Sequence, residues 1–206
     1  MCGGNYSAWN EPRQLTKICK EPVVARTIRL LRECGVDDIA ISSNDMRFLG
    51  FGVPVLEHFN DFNTEGRGCW ADAFFPTAEP ACYIFGDVVF SPEAIRKIVE
   101  TGTDGIMFFA SAPPFALEYI KPWAEPFAFK VVDQERFRNS IDYVRENERT
   151  GIFHRRPISW ELWQVINNED PNTINYSNYV AINDYTCDID APEDARRLES
   201  ILRESS

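Results

Sequence analysis

The sequence predicts an α/β fold with a mostly parallel central sheet, and three features of the 206-residue chain support this prediction. Apolar segments of strand length alternate with amphipathic segments of helix length, which is the pattern of strand–helix–strand units. The segment at 81–85, ACYIF, is continuously apolar, as expected for a strand buried on both faces. A helix-start signal follows it, because Ser91, Pro92 and Glu93 supply an N-cap, a first-turn proline and a first-turn acid.

The first quarter of the chain predicts one helix and two short strands. The helix begins near Pro22 and ends at Gly35, and its apolar residues recur at helical spacing: Val24, Ile28 and Leu31. The segments DDIAISSN at 37–44 and GVPVLEH at 52–58 are the predicted strands.

The remaining elements complete one composite domain of residues 1–206. The helix after Ser91 runs to about residue 100, and further strands are predicted at 104–111 and 127–133. The segment 185–202 is predicted to begin as a strand and to end as an amphipathic helix. Two more helices are predicted at roughly 133–147 and 158–167. We therefore expect a Rossmann-like three-layer sandwich built from 1–110 and 180–206, with a small aromatic-rich acceptor lobe at 111–180.

The composition of the chain argues against several classes of function. A net charge of −11 argues against a nucleic-acid or anionic-membrane surface, because either needs a broad basic face. The six cysteines form no Cys-x-x-Cys pair and the chain has two histidines, so a zinc site is not expected. No segment has the length and apolarity of a membrane span, and the N-terminus does not have the pattern of a signal peptide. We expect a cytoplasmic protein with reduced cysteines.

Positive charge is concentrated near the N-terminus. Residues 12–32 carry six basic side chains and one acidic side chain, a local net charge of +5 in an acidic protein. Arg13, Lys17 and Lys20 follow a Gly-Gly loop whose backbone N–H groups are accessible to a phosphate. The alternative is a solvated basic helix face, which we favour for Arg26, Arg29 and Arg32.

Three aspartates are candidate metal ligands. Asp87 ends a predicted strand, where ligands of open α/β sheets gather, and a carboxylate suits Mg²⁺. Asp188 and Asp190 are two residues apart on a predicted strand, so their side chains share a face. The structural alternatives are a turn aspartate for Asp87 and a helix N-cap for Asp190.

These segments together resemble the nucleotidyltransferase family with the GT-A-like fold. That family has a Gly-Gly loop, then Pro-Lys-x-Leu, then a Gly-Lys-Pro-like turn into a helix. The counterparts here are Gly3-Gly4, Pro12-Arg13-Gln14-Leu15 and Lys20-Glu21-Pro22. The segment at 86–95 is similar to the family's metal-aspartate segment, and 188–200 to its closing strand and helix.

The resemblance implies Mg²⁺-dependent transfer of a nucleotidyl group from a nucleoside triphosphate to a phosphorylated acceptor, with release of pyrophosphate. It implies that Gly3, Gly4, Asn5, Arg13 and Lys17 bind the nucleotide. It also implies that Arg13 and Lys20 are catalytic, and that Mg²⁺ is held by Asp87 and by one of two further carboxylates, Asp188 or Asp190. The acceptor is expected to be a sugar phosphate or a phosphocholine-like compound.

This sequence departs from the family pattern at two places. Arg13 stands where the family has lysine, and a planar guanidinium presents its donors differently from an ammonium group. A first strand normally precedes the Gly-Gly loop, whereas Met1 and Cys2 stand there in this sequence, so we expect the sheet to lack that strand.

The acceptor site is predicted within 111–180. Candidate contacts with the acceptor are Trp123, Trp160 and Lys130, and Lys121 is a further candidate for the acceptor phosphate. An aromatic core explains the tryptophans equally well. Two alternative functions stay open: a GT-A glycosyltransferase that binds a sugar nucleotide through Asp188 and Asp190, and a non-catalytic member of the fold.

Overall fold

The computed structural model describes residues 11–57, 70–115 and 121–204. Its helices are α1 (Val23–Glu33), α2 (Pro92–Glu100), α3 (Gln134–Asn147), α4 (Ser159–Ile166) and α5 (Pro192–Glu204). Its strands are β1 (Lys17–Ile18), β2 (Glu21–Pro22), β3 (Ile41–Ser42), β4 (Val55–Leu56), β5 (Ala81–Ile84), β6 (Val88–Val89), β7 (Ile106–Ala110), β8 (Pro126–Val131), β9 (Val180–Ala181) and β10 (Cys187–Asp188). Short 3-10 helices lie at Arg13–Leu15, Met46–Gly50 and Trp70–Ala73.

The prediction of a mostly parallel central sheet is wrong. The largest described sheet has four strands in the order β5-β8-β7-β9, and β8 runs antiparallel to both of its neighbours. Only β7 and β9 pair in parallel within it. The other described sheets have two strands each, and among these only β3 and β4 are parallel.

The error has a physical cause in the segment after β7. The sequence pattern predicts strands but does not determine their direction, and two strands joined without a crossover helix can pair antiparallel. Instead, β8 lies between β5 and β7, and its residues come from the segment predicted as a separate acceptor lobe. The four-stranded sheet is therefore mixed, and it is not the extended parallel sheet of a Rossmann-like sandwich.

Several local predictions are confirmed. Ser91 Oγ accepts a hydrogen bond from Ala94 N at 2.9 Å, so it caps α2 as the sequence indicates. Gly35 follows α1 with a φ of 79°, the left-handed conformation that commonly ends a helix. The helices predicted at 133–147 and 158–167 correspond to α3 and α4.

The apolar core lies on both sides of the four-stranded sheet. Successive residues of β7 alternate: Phe108 contacts the cluster that includes α3 and α4, and Phe109 contacts the cluster that includes α1 and α2. We call the first cluster the aromatic core, since its rings interlock closely: Phe74, Tyr83, Phe108, Phe129, Phe137, Trp160 and Trp163.

Candidate functional site

A two-stranded antiparallel ladder brings together the acidic residues predicted from distant parts of the sequence. In this ladder β6 pairs with β10, so that Val88 lies opposite Asp188. Ile189 N donates a hydrogen bond to Asp87 O at 3.0 Å and extends the ladder by one pair. Val88 and Ile189 are fully buried, which anchors the ladder in the core. The residue before each of them is an aspartate, Asp87 or Asp188, whose side chain lies on the opposite face of its strand.

Arg13 bridges the two strands of this ladder. Its Nη2 lies 3.0 Å from Asp87 Oδ2, and its Nη1 lies 2.7 Å from Asp190 Oδ1. Nη1 also donates to Ile189 O at 3.2 Å. Burial alone would lower the pKa of Arg13, but the charges of Asp87 and Asp190 raise it above its ordinary value. The guanidinium group is therefore a permanent positive charge at this site.

Lys121 supplies a second cation on the other side of the same aspartates. Its Nζ lies 2.6 Å from Asp188 Oδ1 and 2.7 Å from Asp190 Oδ2, and 3.5 Å from Asp194 Oδ2. The side chain is 5% exposed. Burial opposes its charge, yet the adjacent carboxylates, Asp188 first, raise the pKa of Lys121 well above its ordinary value.

Glu125 lies beneath Lys121 and is almost completely buried. Its backbone is fixed by Ser111, because Ser111 N donates to Glu125 O at 2.8 Å and Glu125 N donates to Ser111 Oγ at 3.0 Å. Its Oε1 lies 3.7 Å from Lys121 Nζ and accepts no hydrogen bond from the described residues. Burial, together with the charge of Asp188, raises the pKa of Glu125 to about 9.

We call these seven residues the charged cluster: Arg13, Asp87, Lys121, Glu125, Asp188, Asp190 and Asp194. Even without Glu125, four aspartates face two cations, an excess of two negative charges when all are ionised. Burial raises the pKa of Asp188 to about 7, whereas Lys121 and Arg13 hold the pKa of Asp190 below its ordinary value despite burial. The cluster therefore has the charge to accept a further cation.

The geometry of the carboxylates fits a hard divalent cation. One oxygen from each of Glu125, Asp188 and Asp190 lies within 4.8 Å of the other two, close enough for all three to contact one ion. Carboxylate oxygens are the ligands that Mg²⁺ and Mn²⁺ prefer. Because Glu125 Oε1 accepts no hydrogen bond from the described residues, this group of oxygens also includes an acceptor that needs a partner.

The structure brings four of the predicted site residues into this cluster: Arg13, Asp87, Asp188 and Asp190. At the start of α5, Asp194 Oδ2 accepts hydrogen bonds from Asp190 N and Ala191 N, each at 3.0 Å, and the Asp190 carboxylate contacts the two cations.

Other predicted nucleotide contacts lie elsewhere or outside the described residues. Lys17 is exposed in β1, and Lys20 is exposed in the tight turn between β1 and β2, with a φ of 70°. Gly3, Gly4 and Asn5 are not among the described residues. Their assignment to the nucleotide remains a prediction.

The three predicted acceptor contacts are in different environments. Trp123 is 53% exposed, and its ring centroid lies 5.6 Å from Lys121 Nζ, beside the charged cluster. Trp160 is 2% exposed in the aromatic core and packs edge-on against Phe108. Lys130 Nζ donates to two backbone carbonyl oxygens at the end of α2, which gives this lysine a structural role.

Sequence reasoning missed two members of the cluster and the role of a third. Glu125 and Asp194 were not predicted as site residues, and Lys121 was predicted only as an acceptor contact. Lys121 and Glu125 are four residues apart, but residues 121–125 form no helix, so this spacing gives no local signal that the two side chains meet.

Comparison with known proteins adds no family assignment: no family model matches the chain, and no curated protein matches it. Among the described residues, no helix combines the length and apolarity that crossing a membrane requires.

Proposed function

We propose that this protein transfers a nucleotidyl group from a nucleoside triphosphate to a small phosphorylated acceptor, such as a sugar phosphate or a phosphocholine-like compound. An oxygen of the acceptor phosphate attacks the α-phosphorus, the bond to the β-phosphate breaks, and pyrophosphate leaves. The observation that best supports the proposal is the convergence of Arg13, Asp87 and Asp190. Arg13 and Asp190 are 177 residues apart in the sequence, yet they form a 2.7 Å ion pair.

The proposed cofactor is Mg²⁺, which Asp188 and Asp190 would hold, with Asp87 of the neighbouring strand as a further proposed ligand. When bound, Mg²⁺ would neutralise the triphosphate and stabilise the charge that develops on the leaving group. The excess of negative charge in the cluster supports this assignment, because a divalent cation would offset the repulsion between carboxylates that share a buried site.

The two cations of the cluster have complementary proposed roles. Arg13 holds Asp87 and Asp190 through its two Nη atoms and would place a fixed positive charge near the α-phosphate. Lys121, whose side chain is 5% exposed, would neutralise Asp188 and Asp190, and Trp123 would offer the acceptor an exposed ring beside the cluster. The acceptor phosphate is itself anionic, so the reaction requires no nucleophile or general base from the protein.

Pyrophosphate release tests this proposal. The four nucleoside triphosphates would be incubated with Mg²⁺ and a panel of sugar phosphates, phosphocholine and related acceptors. We expect release that requires one triphosphate, one acceptor and Mg²⁺. Asp188→Asn should reduce the rate by about 100-fold or more, which is the scale of losing one electrostatic contact with developing charge.

Asp142→Asn is the matched control, since Asp142 is an exposed aspartate of α3 that pairs with Arg145. It should leave the rate unchanged. Release of a nucleoside diphosphate from a sugar nucleotide, without pyrophosphate, would instead support glycosyl transfer. Absence of both products from a folded protein would contradict catalysis.

A further inference from the structure

The ammonium group of Lys121 lies where a cation bridging two aspartates would lie. Its Nζ is 2.6 Å from an oxygen of Asp188 and 2.7 Å from an oxygen of Asp190. A divalent ion that contacts the same two oxygens would come within repulsive distance of the ammonium group. Both cations cannot hold these oxygens together, because like charges a few ångströms apart repel strongly in a partly buried site.

Glu125 offers the ammonium group a second position. Its Oε1 is 3.7 Å from Lys121 Nζ, which is too long for a hydrogen bond, and the residue is 5% exposed. A buried carboxylate oxygen that accepts no hydrogen bond from the described residues is costly unless a donor can reach it. A movement of about 1 Å by Nζ toward Glu125 would bring the two atoms to hydrogen-bond distance.

We infer that Lys121 is a built-in counter-ion that a divalent metal ion displaces. Its ammonium group neutralises Asp188 and Asp190 until the metal binds, and then moves to Glu125. The inference rests on the metal site of the proposed function and adds a competition that sets the affinity of that site. A lysine suits this role because its charge sits on a flexible stem and its three donors rotate freely.

Arg13 does not take part in this exchange. Arg13 contacts Oδ1 of Asp190 and Oδ2 of Asp87, whereas Lys121 contacts Oδ2 of Asp190 and Oδ1 of Asp188. The two cations thus use different oxygens of their shared aspartate. Lys121 can move without breaking either ion pair of Arg13, so the ladder keeps one fixed cation while the other exchanges.

Mn²⁺ binding in the absence of nucleotide tests the competition. The dissociation constant would be measured by titration calorimetry, with free Mn²⁺ followed by electron paramagnetic resonance, on the full chain and on two variants. Lys121→Met removes the charge and keeps the length of the side chain. It should bind Mn²⁺ at least about tenfold more tightly, because a competing charge within 3 Å is gone.

Lys121→Arg is the matched control, since it retains the positive charge. It should bind Mn²⁺ no more tightly than the natural protein. Equal or weaker binding by Lys121→Met than by the natural protein would overturn the inference, because it would show that the ammonium group does not compete with the metal.

Glu125→Gln separates the two roles that Glu125 can have. If Glu125 receives the displaced ammonium group, this change weakens Mn²⁺ binding in the natural protein and has little effect when combined with Lys121→Met. An equal loss in both backgrounds would show that Glu125 contacts the metal itself, and it would overturn the proposed movement.

A measurement on the natural protein covers the case in which Lys121→Met does not fold. The Nζ resonance of Lys121, assigned by its loss in Lys121→Arg, should shift when Mg²⁺ is added, and an unmoved resonance at saturating Mg²⁺ would overturn the inference. The outcomes also distinguish this inference from the proposed function. Tighter Mn²⁺ binding by Lys121→Met, together with no pyrophosphate release by the natural protein, would support the counter-ion and contradict nucleotidyl transfer.

Discussion

Two lysines of this protein have their ammonium groups surrounded by protein oxygens, yet the oxygens differ in kind. Lys121 Nζ contacts carboxylates of the charged cluster, whereas Lys130 Nζ donates to Val99 O at 2.9 Å and Thr101 O at 2.7 Å. Those carbonyls lie at the C-terminal end of α2, where a helix lacks internal donors and where positive charge is favourable. The carbonyl oxygens at the helix end need a hydrogen-bond donor, which Lys130 supplies. The carboxylates around Lys121 are charged and can exchange the ammonium group for another cation.

The same contrast separates the two regions in which these lysines lie. Lys130 belongs to β8, in the sheet that supports the aromatic core, where each contact stabilises the fold. Lys121 belongs to the charged cluster, where carboxylates are brought together despite their repulsion. Clustering of like charges that lowers stability is typical of a functional site. The difference predicts that variants of the first region change stability alone and that variants of the second also change ligand binding.

The largest expected effect is on the aromatic core. Trp160→Ala should lower the free energy of unfolding by about 4 kcal/mol, since it removes a buried ring that contacts Phe108, Tyr176 and Tyr179. Chemical denaturation measures this change. Trp123→Ala is the matched control and should cost less than about 1 kcal/mol, because the ring is 53% exposed. A small loss for Trp160→Ala would contradict its placement in the core.

The second prediction compares the lysines directly. Lys121→Met and Lys130→Met should each lower the free energy of unfolding by about 3 kcal/mol, because each leaves buried oxygens without their cation. Added Mn²⁺ should restore most of the loss in Lys121→Met, where it replaces the missing charge. It should restore none in Lys130→Met, whose carbonyls form no metal site. Chemical denaturation measures the free energy of unfolding of both variants with and without Mn²⁺. An equal gain from Mn²⁺ in both would show that the two regions do not differ in metal binding.

The third prediction concerns Arg13, the fixed cation of the cluster. Arg13→Ala should weaken triphosphate binding by about tenfold, or 1.4 kcal/mol, which is the scale of one lost charge-assisted contact. Calorimetric titration with the triphosphate and Mg²⁺ measures this effect. Arg13→Lys should recover part of the affinity, since it restores the charge without the planar pair of donors. Unchanged binding in Arg13→Ala would place the phosphate site elsewhere.

The last prediction concerns the slope of stability with pH. The pKa of Glu125 is raised by burial from 4.5 to about 9, so its contribution to stability is present below pH 4.5 and is lost as the pH rises through 9. The free energy of unfolding, measured with a chelator present, should therefore fall between pH 5 and 9, by at most about 1.4 kcal/mol per pH unit from this group. Glu125→Gln should flatten the slope, and a slope that persists unchanged would assign it to other groups.

The local elements of this fold could be predicted because their signals are local. The cap of α2 depends on Ser91 and Ala94, which are three residues apart, and the end of α1 depends on the conformation of Gly35 alone. The helices are amphipathic at the spacing that the sequence displays. Each of these features is determined by neighbours within one or two turns of chain.

The sheet order could not be predicted in the same way. The placement of β8 between β5 and β7 depends on pairings such as Tyr83 with Phe129 and Phe108 with Phe129, which unite distant segments. Apolar residues in all three strands would be buried equally well in a parallel arrangement. No local signal sets strand direction, so the pattern predicts β5, β7 and β8 but is wrong that the sheet is mostly parallel.

The charged cluster was predictable in part for a related reason. Three acids lie at or near the ends of predicted strands: Asp87, Asp188 and Asp190. Acids at such positions are candidate ligand contacts because ligands of α/β sheets gather at strand ends. Lys121 lies 67 residues from Asp188 and joins the cluster through tertiary packing alone. Its sequence context, with prolines and aromatic residues, indicates a core as much as a site.

The measurement that tests the central claim most directly is a thermal-shift comparison of the natural protein and Asp188→Asn with each of the four nucleoside triphosphates, with and without Mg²⁺. We predict that one triphosphate stabilises the natural protein only when Mg²⁺ is present, by about 2.7 kcal/mol at 100 times its Kd, and that Asp188→Asn abolishes this effect. Absence of stabilisation by every triphosphate with Mg²⁺, or equal stabilisation of Asp188→Asn, would contradict a Mg²⁺-triphosphate site at the charged cluster.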